Sequence, residues 1–183
     1  MSMNPVRQTV LSACRKYRYT LWRDWDMDLL TGCANDAKDL DSYAMFIGLN
    51  PSTADETKDD PTIRKCIGFS KRWGFAGLMM TNLFAFRATK PEDMKRAENP
   101  SGEDNQPHLL QCASAAGIIV AAWGKNGSFL NQDLTVMQWL GGIGAQLHCL
   151  RTNGDGSPEH PLYVPYEVTP QLYGAKLQNC PKY

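Results

Sequence analysis

The sequence predicts an α/β protein: a three-layer α/β/α arrangement around a mainly parallel, four-stranded central sheet. Two observations carry that expectation. Tyr43–Leu49, Gly77–Thr81 and Gly117–Ala122 are near-continuous apolar runs, as strands buried on both faces are, and Gln146–Leu150 makes a fourth. Segments with helical spacing or helix-starting chemistry separate these runs, and no internal repeat or low-complexity tract interrupts the alternation.

Tyr17–Trp25 alternates aromatic or aliphatic residues with polar ones and reads as a strand with one buried face. The polar stretch Thr31–Asp41 ends it, and Tyr43–Leu49 follows, closing on Asn50-Pro51. Asp60-Pro61 opens a helix with the acid as cap and proline at the first helical position. Ile63, Cys66, Ile67 and Trp73 keep helical spacing there, with Arg64, Lys65, Lys71 and Arg72 on the other faces. Thr89-Lys-Pro-Glu92 has the form of a capping box before a short helix. The loop Glu98–Asn105 precedes a helix through Leu109, Leu110 and Ala113, and Phe129–Leu140 forms another. Gly141–Gly144 then turns the chain into the fourth strand, and Arg151–Tyr183, with five prolines, is loop-rich. Residues 1–183 thus read as one domain, the strand segment 17–25 packing on an α/β core over 43–175.

Composition narrows the function. The 183 residues are 43% hydrophobic and 21% charged, which excludes a disordered or fibrous chain. Lys plus Arg equals Asp plus Glu at 19 each, so the chain does not coat nucleic acid non-specifically, although a local basic face stays possible. The N-terminus has no apolar core of the kind a secretion signal needs, and the longest apolar run, Ala115–Trp123, is far short of the ~20 residues of a membrane helix. A cytoplasmic protein with no membrane partner is the expectation. The six cysteines (Cys14, Cys33, Cys66, Cys112, Cys149, Cys180) contain no C-x-x-C pair and read as reduced thiols. His108 with Cys112, and His148 with Cys149, lack a second ligand cluster, so neither a metal site nor a cofactor is expected.

In an open parallel sheet, ligands sit outside the carboxyl ends of the strands. The first run delivers Asn50-Pro-Ser52 and Asp55 there, the second Asn82, Phe84 and Arg87, the third Trp123-Gly124, and the fourth Asn153, Ser157 and His160. An Asn amide both donates and accepts, which suits the edge of a heterocyclic base. Asn and Gly also populate turns after strands for their own conformational reasons, so the two accounts stand together. No G-x-x-x-x-G-K-[ST], no post-strand G-x-G-x-x-G and no G-x-S-x-G occurs, against a P-loop enzyme, a dinucleotide oxidoreductase and an α/β-hydrolase.

Phe46-Ile-Gly-Leu-Asn-Pro-Ser-Thr-Ala-Asp55, Asp59-Asp-Pro-Thr-Ile-Arg64 and Asn82-Leu-Phe-Ala-Phe-Arg-Ala-Thr89 closely resemble the bacterial and phage family called domain of unknown function 1643, over about Tyr17–Tyr173. That resemblance names a relative without naming a reaction. The order Gly48-Leu-Asn-Pro51, Thr81-Asn82, Trp123-Gly124 and Asn153–Pro161 is also distantly similar to the uracil-DNA glycosylase superfamily. The second resemblance implies a glycosylase-like fold. It would make Asn50 the holder of an attacking water, with Asp55 as a candidate base beside Glu56 and Asp59. Asn82 would read an extruded base with Phe84 or Phe86 stacked on it, and Asn153 or His160 would donate to the departing base. Ser52 and Ser157, with Arg87, would grip phosphates. The chain departs from that pattern: the last loop lacks H-P-S or N-P-S, the iron–sulfur cysteines of the T-N branch are missing, and Asp59 and Asp60 are equally explained as helix caps.

Three functions follow as expectations. One is a nucleobase-directed enzyme acting on the N-glycosidic bond of DNA or of a nucleotide. Another is a nucleic-acid or nucleotide binding module without chemistry, using Arg64, Lys65 and Lys71 as its nucleic-acid face. The third is group transfer on a modified nucleotide.

Overall fold

Among the described residues, seven strands and four α-helices form, in chain order, β1 (Arg7–Leu11), β2 (Arg18–Asp24), β3 (Tyr43–Gly48), α1 (Pro61–Arg72), β4 (Gly77–Asn82), α2 (Pro91–Lys95), α3 (Asn105–Ala115), β5 (Ile118–Ala121), α4 (Gln132–Gly142), β6 (Leu147–Cys149) and β7 (Gln171–Leu172). The computed structural model describes residues 7–25, 43–52, 54 and 57–174. Short 3₁₀ segments occupy Lys125–Asn131 and Pro161–Tyr163.

All seven strands join one sheet in the order β1-β2-β4-β3-β5-β6-β7. The four runs expected as central strands are adjacent and parallel, but the sheet is neither four-stranded nor mainly parallel. Three of its six pairings are parallel and three antiparallel. The correction has a physical source. β2 lies antiparallel against β4, with Leu21 opposite Met80, and so becomes a sheet member that brings β1 with it. At the other edge β7 pairs antiparallel with β6 through only His148–Leu172 and Cys149–Gln171.

Helices cover both faces because β3 buries side chains on each. Ala44 and Phe46 pack with Ile63, Cys66 and Phe69 of α1, whereas Met45 and Ile47 pack with Leu109 and Cys112 of α3 and with Val136 and Leu140 of α4. β3 therefore exits toward one face, and β4 and β5 exit toward the other. A crevice opens at such a divergence, outside the carboxyl ends of the strands.

The helix starts test the capping chemistry. Asp60 caps α1 as expected, its carboxylate accepting from Ile63 N–H at 2.9 Å with Pro61 in the first turn. The capping box before α2 does not form. The cap is Lys90, without a side-chain bond, so Glu92 lies one residue too close for the box. The helix expected over 129–140 begins at Gln132, because Leu130 (φ 55) and Asn131 (φ 53) are left-handed and interrupt it. Cys66, Cys112 and Cys149 are buried thiols; burial pushes Cys112 up to about 11 and Cys66 further. Cys14 is exposed, and Cys33 and Cys180 lie outside the described residues. No helix among the described residues is long and apolar enough to cross a membrane.

Candidate functional site

The carboxyl end of β4 carries a polar side chain placed where polar groups are costly. Asn82 is 1% exposed, and its Nδ2 has no hydrogen-bond partner among the described residues. A buried amide donor left unpaired costs about 1–3 kcal/mol, so it is retained against its own destabilising effect. The amide fits because its neighbour in register is Gly48. A Cβ at Gly48 would lie 2.9 Å from Asn82 Oδ1 and 3.0 Å from Met80 Cε. Ala122 follows across β5 on the same face, its N–H bonded to Ile47 O at 2.8 Å. Beside Asn82 the strand ends thus present only small residues.

The backbone leaving β4 is clasped by two residues that the sequence did not single out. Asn105, at the start of α3, donates from Nδ2 to Asn82 O at 3.1 Å and Leu83 O at 3.0 Å. Gln132, at the start of α4, donates to Leu83 O at 3.2 Å. Their partners are reached only through tertiary packing, so spacing along the chain carries no signal of them.

Two arginines of β2, also passed over, reach the loop after β3. Arg18 and Arg23 are each 2% exposed. Five positions apart, they would fall on opposite faces of a regular strand. A bulge prevents this: Val10 pairs with Thr20 and Leu11 with Arg18, leaving Tyr19 as the extra residue. Arg18 then donates to Ala54 O at 2.7 Å and Arg23 to Asp59 Oδ1 at 2.7 Å, while Tyr19 stacks on His108 of α3. Arg7 also meets Asp59, at 3.2 Å. Asp59, considered above as a base or cap, is therefore an ion-pair partner.

The predicted site residues divide by what they touch. Asn50 is half-buried, its Nδ2 donating to Ala88 O at 2.7 Å and Pro51 O at 3.1 Å. Ser52 is half-buried in the same loop, and Asp55 and Glu56 lie outside the described residues. Phe84 is wholly buried and packs on Phe129 with centroids 5.7 Å apart, so it offers no free face for stacking. Phe86 is half-buried against Tyr17. Arg87 donates to Arg15 O at 3.3 Å, while its buried Nε has no partner among the described residues. Asn153 and Ser157 are turned on each other: Asn153 Nδ2 donates to Ser157 Oγ at 3.0 Å, and that hydroxyl donates to Asp155 at 2.6 Å. Those bonds hold the Asp155 carboxyl below the usual range.

The cations expected to face nucleic acid lie on α1, with Arg64, Lys71 and Arg72 exposed and Lys65 half-buried. Lys65 Nζ lies 3.7 Å from the Tyr166 ring centroid and Arg72 lies 4.0 Å from it. Lys71 sits over Trp25, and the Arg64 guanidinium bonds Asp59 O. Trp123 belongs to the α3/α4 side of the sheet, opposite Asn82, and its buried Nε1 has no partner among the described residues.

His160 begins the 3₁₀ segment that packs on α1. Its Nδ1 accepts from Leu162 N–H at 3.3 Å, which puts the neutral ring's proton on Nε2. Burial lowers the pKa below the ordinary imidazole value, against a weaker upward pull from Asp60. The neutral form is thus the folded form at pH 7. The unfolded chain binds a proton more readily, so stability from this group is intact above pH ~6.5 and declines as pH falls below it. His160→Asn, which keeps an acceptor for Leu162 N–H, is expected to flatten the fall in urea midpoint between pH ~6.5 and ~5. A slope identical to that of the parent protein would show that the imidazole is not the group responsible.

Residues 18–162 match the model of a family described as protein of unknown function (DUF1643). The chain belongs to that family. The DUF1643 match begins at Arg18 and spans every predicted site residue, whereas β1 and β7 lie outside it. A search of curated proteins and a search of solved structures found no match.

Proposed function

We propose that the protein is a nucleobase-directed enzyme acting on the N-glycosidic bond of DNA or of a nucleotide. The observation that carries this reading is the buried, unspent donor of Asn82 at the carboxyl edge of the parallel strands. A base edge that accepts there would satisfy a donor that otherwise goes unpaired. The likeness to the uracil-DNA glycosylase superfamily is part of this proposal. It is supported by the four motif-bearing segments leaving four adjacent strands, β4-β3-β5-β6, at one sheet edge.

The chemistry assigned to the residues is as follows. Asn50, with Nδ2 held by Ala88 and Pro51, presents Oδ1 to position a water. The bond from sugar C1′ to the base nitrogen breaks with its electron pair on the base, water adds to C1′, and its proton leaves to solvent. Negative charge develops on the departing base, where a neutral imidazole with its proton on Nε2 is a preorganised donor. His160 has that protonation state. The binding-only reading keeps a specific observation in its favour: Asn153 and Ser157 are spent within their own loop.

Two assays test the proposal together. Thermal unfolding with bases, nucleosides, nucleotides and short DNA is expected to rise by about 5–10 °C for one base class at a hundredfold excess over Kd. Duplexes carrying uracil, mismatches or phage-type modified bases are then expected to yield abasic sites for that class. A shift without abasic product selects the binding module. No shift with any base overturns both.

A further inference from the structure

We infer that Tyr166 is a positioning residue for His160: its ring, seated on α1 over Gly68 between Lys65 and Arg72, fixes where the segment after β6 presents the imidazole. The inference rests on the donor role given to His160 in the proposed reaction and adds the residue that holds that donor in place. A Cβ at Gly68 would collide with Tyr166 Oη and lie 2.7 Å from Cε1 and Cζ, so the phenol edge rests directly on the helix backbone. Glycine inside a helix costs about 1 kcal/mol relative to alanine. Gly68 is not among the positive-φ glycines, so its backbone does not require the residue, and the room it leaves is filled by Tyr166. Lys65 and Arg72 stand one turn to either side of Gly68 on the same helical face, 3.7 Å and 4.0 Å from the ring centroid. A cation–π pair at an exposed site is worth about 0.5–1 kcal/mol, and Phe69 packs on the same ring with centroids 4.9 Å apart. The Tyr166 hydroxyl forms no hydrogen bond among the described residues, so the ring carries the contact.

The anchor and the imidazole belong to one short segment, and both meet α1. His160 starts the 3₁₀ turn, which is closed by Tyr163 N–H to His160 O at 3.0 Å and Val164 N–H to Pro161 O at 3.2 Å. Val164 joins the α1 side of the core, and a second turn, closed by Val168 N–H to Pro165 O at 3.3 Å, carries Tyr166. The titratable groups set against the His160 ring are Asp60, the α1 cap, and Tyr163, 5.9 Å away between centroids. Gly68 lies two turns beyond Asp60, about 12 Å along the helix. The segment is thus fastened to α1 at its His160 end and again two turns on. Between the fastenings Pro161 and Val164 are buried, whereas Leu162, Tyr163 and Pro165 are exposed, so Tyr166 holds down the far end. Asn82 alternates along β4 with Leu78 and Met80 of the α1 side, which places the fastened imidazole and the unspent amide on one side of the sheet.

The test uses the whole chain with isotope-labelled histidine, followed by NMR from pH ~5 to ~8. The chain has 3 histidines, and the signal lost in His160→Asn identifies the one of interest. Gly68→Ala keeps the helix and unseats the ring, while Tyr166→Leu keeps an apolar side chain and removes the ring. In both, the His160 midpoint is expected to rise from its lowered value toward ~6.5 as the imidazole gains solvent, with His108 and His148 unchanged. Tyr166→Phe, which retains the ring faces, is expected to titrate as the parent does. Release of the base found in the thermal screen should fall about tenfold or more in kcat for the first two variants, with KM within about twofold, and phenylalanine should restore it. A merely structural Tyr166 would lower the thermal midpoint and leave the His160 titration where it is, and that result overturns the inference. So does full base release from a variant whose imidazole has moved. If the parent binds no base and forms no abasic site while the titrations shift as described, the reaction reading falls and the hold of Tyr166 on His160 stands.

Discussion

Asp59→Asn is expected to lower the unfolding free energy by about 3 kcal/mol, the low end of what breaking a buried ion pair costs. The reason lies in what is left behind. The Arg23 side chain is 3% exposed and its Nε meets Asp59 Oδ1 at 2.7 Å, while the carboxylate itself is 11% exposed. Asparagine keeps the size and one acceptor but removes the charge that offsets a guanidinium held out of water. Arg7, 37% exposed and 3.2 Å from the same carboxylate, contributes little, and its removal should cost less than 1 kcal/mol. For a chain of this size the Asp59 change corresponds to a fall of about 6–12 °C in thermal midpoint. Urea unfolding of both variants measures the difference. A loss under 1 kcal/mol for Asp59→Asn would mean that other groups neutralise Arg23. The effect bears on the site, because Asp59 precedes the α1 cap and closes the loop that begins at Asn50.

Why Arg23 escaped a reading of the sequence shows where such reading stops. β3, β4 and β5 were legible because burial on both faces imposes a continuous apolar run on the residues themselves. β1 was not: Arg7, Gln8 and Val10 are exposed, so the strand is held by backbone pairing that leaves no hydrophobic pattern. β7 is two exposed residues long. In β2 the alternation was visible, but the bulge at Tyr19 reverses its phase and turns Arg18 inward with Arg23. A polar residue in an alternating strand reads as solvent-facing unless its partner is known, and Asp59 is distant in sequence. The helix caps followed the same division. Asp60 works through a residue three positions away, so its role is local and readable, whereas Asn105 and Gln132 cap a strand exit far from themselves. At the candidate site the Asn-bearing strand ends could be read, but the fate of each amide could not. Asn153 and Asn50 spend donors on neighbouring oxygens, and Asn82 does not.

That difference between asparagines sets the largest effect on ligand binding. Asn82→Ala is expected to weaken the affinity for the recognised base by about 10- to 100-fold, the loss of ~1–3 kcal/mol that a well-aligned amide–base pair supplies. Stability should change little, with a thermal midpoint within about 3 °C of the parent, because the deleted Nδ2 has no partner to strand. This asymmetry distinguishes a ligand-reading amide from a structural one. Asn105→Ala provides the contrast: its Nδ2 serves the carbonyls of Asn82 and Leu83, so its removal takes a buried donor from both, leaving Leu83 O with Gln132, and should cost stability first. Titration of each variant with the base found in the thermal screen, alongside urea unfolding, resolves the two kinds of loss. Asn82→Ala with full affinity and a lowered midpoint would make Asn82 a packing residue and remove the observation on which base recognition rests. Asn82→Asp sharpens the comparison, since it replaces the unspent donor with an acceptor at the same position. A base edge that accepts at Nδ2 would be rejected by the aspartate at least as strongly as by alanine, whereas one that donates there would be favoured by it. The sign of that difference therefore reports the hydrogen-bonding polarity of the ligand edge before the ligand itself is known.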